Sequence, residues 1–78
     1  VSKYEKLLEK IQSLDKGLRF DQLEKVLVKL GYKPENPGSS HVTFRKDGRA
    51  SITIPMHEPI KQVYVKMVRA ILKQEGII

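Results

Sequence analysis

Apolar residues recur every three or four positions along the N-terminal part of the chain. Tyr4, Leu7, Leu8, Ile11 and Leu14 share one face of a helix over residues 2–14. Ser2 stands where an N-cap belongs, and Asp15-Lys16-Gly17 closes the segment. A second helix is expected from Phe20-Asp21 onward, with Asp21 as its cap. Its apolar positions Leu23, Val26, Leu27 and Leu30 fall at i, i+3, i+4, i+7, and Gly31 is the expected stop.

The period then changes from helical to alternating. Tyr32 to Glu35 can form a short strand, and Pro34 confines it to an edge or a strand end. Asn36 to Ser40 reads as a turn. From Ser40 to Arg45, Val42 and Phe44 point one way while His41, Thr43 and Arg45 point the other. From Ala50 to Pro55, Ile52 and Ile54 oppose Ser51 and Thr53 in the same manner. A two-residue Asp47-Gly48 loop would put Phe44 beside Ser51 and mix polar with apolar on one face. A three-residue loop, Lys46-Asp47-Gly48 with Gly48 left-handed, keeps the faces separate. It sets Val42 against Ile52, Phe44 against Ala50, Thr43 against Ser51 and His41 against Thr53, with His41 on the exposed face.

A last helix is expected over about Ile60 to Gln74. Val63, Tyr64, Met67, Ile71 and Leu72 form its expected apolar face, and Gly76 stops it. The order α-α-β-β-β-α predicts a two-layer α+β protein: three antiparallel strands, helices on one face, the other face open to solvent. No internal repeat or linker interrupts the pattern, so residues 1–78 read as a single domain.

Composition narrows the function classes. The chain has 78 residues, a net charge of +6 and no cysteine. Disulfide frameworks and thiolate zinc sites are therefore excluded, and a cytoplasmic location is the expectation. No apolar run reaches the length of a membrane span, and no apolar segment near the start reads as a signal peptide. A small basic chain is a candidate for nucleic acid or another anionic partner.

Candidate chemistry centres on "GSSH" at Gly38 to His41. A lone histidine on a sheet is more often a surface residue than a catalyst. Here Gly38 lets a ligand approach the backbone, and Ser39 and Ser40 supply hydroxyls and N–H groups. Imidazole is a side chain suited to general acid or base work, and Arg45 on the same face could reach a phosphate near it. His41 and His57 are the only histidines and lack metal-ligand spacing, so no metal site is expected. A Ser40–His41 nucleophile pair is disfavoured, because adjacent strand residues point to opposite faces. No phosphate loop or dinucleotide fingerprint is present. His57 reads as a loop residue before the last helix. Lys66, Arg69 and Lys73 make a basic stripe that is either a solvated helix face or a phosphate contact. The expected open face carries no aromatic residue, which argues against base stacking.

Several of these stretches occur together in one known family. A helix closing on Leu30-Gly31-Tyr32, then Gly38-Ser39-Ser40-His41 opening a strand, Phe44-Arg45, "IxIPxH" at Ile52 to His57 and "ILKQxG" at Ile71 to Gly76 resemble the HicA (YcfA-like) toxins of bacterial toxin–antitoxin systems. The likeness runs from about Gly17 to Ile78, with residues 18–78 as the family core and the helix over 2–14 as an addition. It departs at Met56, where the family often carries a basic residue.

The resemblance implies a double-stranded-RNA-binding-domain-like fold and an mRNA interferase activity with no metal or small-molecule cofactor. It implies His41 as the catalytic residue and a HicB-type antitoxin as partner. On that footing Arg45 and Lys46 would stabilise charge on the reacting phosphate, Gly38, Ser39 and Ser40 would shape its approach, and Lys66, Arg69 and Lys73 would hold flanking RNA phosphates. Two other readings remain open at this stage. One is a non-catalytic RNA-binding module of the same fold. The other is a protein-interaction domain whose basic face meets an acidic partner.

Overall fold

The computed structural model describes residues 2–36, 40–56 and 59–78. Among them the elements run α1 (Lys3–Gln12), α2 (Phe20–Lys29), β1 (Lys33–Glu35), β2 (His41–Arg45), β3 (Ile52–Pro55) and α3 (Gln62–Gln74). The strands form one antiparallel sheet in the order β1-β2-β3, with β2 in the centre. This is the expected α+β arrangement.

Each helix begins and ends for a readable reason. Ser2 caps α1, its hydroxyl accepting from the Glu5 N–H at 3.1 Å. The expected Asp21 cap of α2 is not used. Arg19 is the N-cap residue, and the Gln22 side chain accepts from its backbone N–H at 2.9 Å. The chain turns helical one residue before the position expected for the cap, so Asp21 falls in the first turn, where its charge suits the helix dipole. At the C-terminus of α2 the Tyr32 N–H returns to the Leu27 carbonyl and the Gly31 N–H to Val28. Gly31 takes φ +99°, and Gly76 repeats the device after α3 at φ +75°. After α1 the same pair of bonds forms around Leu14, a non-glycine residue at φ 58°. Asp15 and Gly17 then make a side-chain turn, the Gly17 N–H donating to Asp15 Oδ1 at 2.6 Å.

The core lies between the helices and one face of the sheet. Val42, Phe44, Ile52 and Ile54 meet Leu7, Ile11, Leu23, Val26, Leu27, Val65, Val68 and Leu72 there, all buried. Phe44 is fully buried and packs its ring 6.1 Å from that of Phe20. Two expectations about this core are corrected. On α3 the buried residues are Val65, Val68 and Leu72, whereas Val63 and Met67 are exposed. Apolar residues stand on more than one side of this helix, and packing chose the neighbouring stripe.

The strand register is the second correction. Val42 pairs with Ile54, Phe44 with Ile52, Thr43 with Thr53 and His41 with Pro55. The expected register set Phe44 against Ala50 and left Ile54 opposite Ser40. The observed one matches two large apolar pairs and joins Thr43 and Thr53 through their hydroxyls at 3.0 Å. The turn closes at Arg49, whose N–H donates to the Lys46 carbonyl, with Gly48 at φ +77°. The shift is two residues, so every side chain keeps its face.

Candidate functional site

The open sheet face is a short grid. Lys33 stands beside Arg45, Thr43 between Glu35 and Thr53, and His41 beside Pro55. His41 is exposed at the first residue of the central strand. Its place follows from the alternation of β2: Val42 and Phe44 must face the core, so His41 and Thr43 face outward.

The mouth of β2 is held by contacts outside the regular ladder. The Met56 N–H donates to the Ser40 carbonyl at 2.7 Å, extending the β2–β3 pairing by one residue. The Asn36 amide reaches Met56 Sδ at 3.5 Å, linking the ends of the two outer strands across the mouth. Ser40 Oγ lies 3.4 Å from His41 Nδ1. This contact corrects the argument from strand alternation. Ser40 sits in the bend before the strand rather than in it, so its side chain is not bound to the opposite face. Gly38, Ser39, His57 and Glu58 lie outside the described residues.

The other expected site residues are not all brought to His41. Arg45 shares its face, but four residues further along the strand puts its base about 13 Å away. Its guanidinium turns to Glu35 at 3.0 Å, a pair that is more than half exposed. Lys46 points to the helix side. Its Nζ meets Glu75 at 3.0 Å and lies 5.6 Å from the centre of the Tyr32 ring. Its stem passes within 3.5 Å of where a Gly31 Cβ would stand. Lys66 and Lys73 are exposed on α3, in the helix layer. Arg69, half-buried, extends toward the Gln12 carbonyl at 3.4 Å, at the end of α1.

Arg49 was missed by the sequence reading. It donates to Glu75 at 2.8 Å, so one carboxylate joins the β2–β3 turn to the end of α3. The hydrogen bond from Arg49, and then that from Lys46, holds the Glu75 carboxyl below its usual range. The same contact raises the Arg49 guanidinium above its usual value. No local sequence pattern marks this link, because the partners are 26 residues apart in sequence and belong to a turn and a helix end. Among the described residues no group of three or more His, Cys, Asp or Glu side chains could hold a metal ion. Nor is any helix there long and apolar enough to cross a membrane.

Fold and site together define a small basic α+β protein that presents one histidine on the solvent side of a three-stranded sheet. The family comparison matches residues 20–77 to the HicA toxins of bacterial toxin–antitoxin systems, and the chain belongs to that family. Membership implies an antitoxin partner. The comparisons with curated proteins and with solved structures gave no match.

Proposed function

We propose that the protein is a metal-independent endoribonuclease, an mRNA interferase that a HicB-type antitoxin neutralises. The observation that carries the reading is His41, exposed at the mouth of the central strand in a member of a toxin family. RNA brings its own nucleophile. The 2′-oxygen attacks the adjacent phosphorus, the bond to the 5′-oxygen breaks, and the ends become a 2′,3′-cyclic phosphate and a 5′-hydroxyl. One proton must leave the 2′-OH and one must reach the 5′-oxygen. His41 serves one transfer and water the other.

The Ser40 contact fits either transfer. If Nδ1–H donates to Ser40 Oγ, then Nε2 keeps its lone pair and takes the 2′-OH proton. To serve the leaving oxygen instead, the ring must start as imidazolium, with Nδ1–H again donating to Ser40 Oγ and Nε2–H giving its proton to the 5′-oxygen. Arg45 would meet RNA phosphate after releasing Glu35, while Gly38 and Ser39 would shape the approach. Lys46 is held by Glu75 and would act only by leaving it. Lys66, Arg69 and Lys73 would contact outlying phosphates at most.

The test is RNA cleavage in EDTA by wild type beside His41→Ala. We expect cleavage by wild type and a loss of about 10²–10⁴-fold in the variant. Undiminished cutting by the variant, or none by wild type, would sink the enzyme reading. A second reading, a non-catalytic RNA-binding module, draws on the net charge of +6. It predicts RNA binding by both proteins and cleavage by neither.

A further inference from the structure

A groove of about 270 Å³ runs between α1 and α2, in the helix layer and so on the other side of the sheet from His41. Lys3, Lys6 and Lys10 line it from α1, and Arg19 and Lys25 from the α2 side. Asp21 is the one carboxylate in its wall, and it pairs with Arg19 at 3.5 Å. Five cations and one anion leave +4 in this groove, against +6 for the whole chain.

Lys10 suits the dipole in the last turn of α1, but Lys3, Lys6 and Lys25 have no such use. Among the described residues no carboxylate lies within ion-pair distance of Lys3, Lys6, Lys10 or Lys25. All four are exposed. Lys3 and Lys6, then Lys6 and Lys10, stand three and four residues apart, where like charges weaken a helix. Lys3 also opposes the dipole at the helix start. An uncompensated cluster of this kind costs stability and focuses a positive field outward. Ile11 and Leu7, which also forms part of the groove wall, are buried in the core and hold α1 in place, so the lysines are presented on a fixed frame.

We propose that this groove binds the phosphodiester backbone of RNA, as a second contact remote from His41. The proposal rests on the reading that RNA is this protein's ligand. Lys3 to Lys10 spans about 10 Å of helix axis, the rise of about three phosphates along one strand of a duplex. Three of the five cations come from α1, which precedes the family match beginning at residue 20. The additional helix therefore lengthens the RNA footprint without reading bases.

The experiment uses His41→Ala protein, so that RNA stays intact, with a labelled mixed-sequence single-stranded oligonucleotide. Affinity is measured over a range of salt, with and without Lys3→Gln, Lys6→Gln and Lys10→Gln together. A Lys→Arg triple variant keeps the charge and controls for folding. We expect the glutamine variant to bind at least about tenfold more weakly at low salt. Its salt slope should fall by about 2, three contacts at about 0.7 each on single strands. The arginine variant should match the parent. Unchanged affinity and slope in the glutamine variant overturn the groove, as does a parent that binds no RNA at low salt. Equal losses in the glutamine and arginine variants overturn it too, because charge is then not the cause. Cleavage by protein with intact His41 is scored separately. Groove-dependent binding without cleavage removes the ribonuclease and leaves the groove; His41-dependent cleavage with groove-independent binding does the reverse.

Discussion

Positive charge gathers in two places on this protein, and the two are built on opposite lines. At the far end of the sheet the three cations from Arg45 to Arg49 each meet an anion: Arg45 with Glu35 at 3.0 Å, Lys46 with Glu75 at 3.0 Å, Arg49 with Glu75 at 2.8 Å. In the groove between α1 and α2 only Arg19 does, with Asp21 at 3.5 Å. A count of lysines and arginines does not separate these regions. Their neighbours do. A cation already hydrogen-bonded to a carboxylate must give up that contact to meet a phosphate, whereas an exposed lysine without an anion gives up only water. The sheet end is thus a fastening, and the groove is a surface prepared for a polyanion.

The largest test of the fastening is Gly31→Val. Gly31 takes φ +99° and lies under the Lys46 stem, so a branched side chain is strained and displaces Lys46 as well. The left-handed conformation alone should cost about 1–2 kcal/mol. In a chain of this size that is a fall in Tm of at least about 4 °C by thermal circular dichroism. A variant as stable as wild type would show that the turn of Gly31 over Lys46 fastens nothing.

The next effect is one of pH. Arg49 first, and Lys46 after it, depress the folded-state pKa of Glu75 below its unfolded value. The stability this gives is complete above the unfolded carboxylate range, about 4.3 for Glu. It is lost as pH falls through the lower folded value. Glu75→Gln should therefore lie below wild type in Tm at neutral pH, and the gap should close in strong acid. An equal gap at both pH values would assign the loss to packing instead.

A smaller effect sharpens the contrast from the other side. The Arg45–Glu35 pair is exposed on both partners, so breaking it costs at most about 1 kcal/mol. Glu35→Gln should leave the fold intact and release Arg45 on the face of His41. RNA affinity should then rise by up to about fivefold, the same energy read as binding. A fall in affinity would mean that the carboxylate orients Arg45 for RNA and does not compete with it.

Legibility in the sequence followed the physics of each element. Alternation placed Val42 and Phe44 inward and His41 outward, and that survived a register error because a shift of two preserves the faces. The pairs themselves were not legible. The residues between Phe44 and Ile52 allow more than one turn, and the choice is made by matching Phe44 to Ile52 across the sheet. Gly31 and Gly76 announced two helix ends, but Leu14 adopts the same left-handed state with no glycine to mark it. Its carbonyl accepts from the Gln62 side chain at 2.9 Å, a contact from across the fold. On α3 the buried stripe is set by what it packs against, so Val65 and Val68 are buried where the periodicity points to Val63 and Met67. Near His41 the alternation rule failed one residue outside the strand, which is how Ser40 came to lie beside the ring.

The smallest predicted effect is the one the comparison depends on most. If the groove lysines serve no fold purpose, replacing Lys3, Lys6 and Lys10 with glutamine should change stability by no more than about 0.5 kcal/mol per site. The net sign should be favourable, because relief of like-charge repulsion within α1 and removal of Lys3 from the positive end of its dipole outweigh the loss of Lys10 from the last turn. Raising salt should narrow the gain, since exposed charges are screened within about 10 Å at moderate ionic strength. Thermal unfolding of wild type and variant at low and high salt reads all three points. A clear loss of stability would show that the lysine stems hold α1 to α2, making the groove a second fastening. A small gain that fades with salt leaves the lysines costly to the fold and available to an anion, as the charge pattern requires.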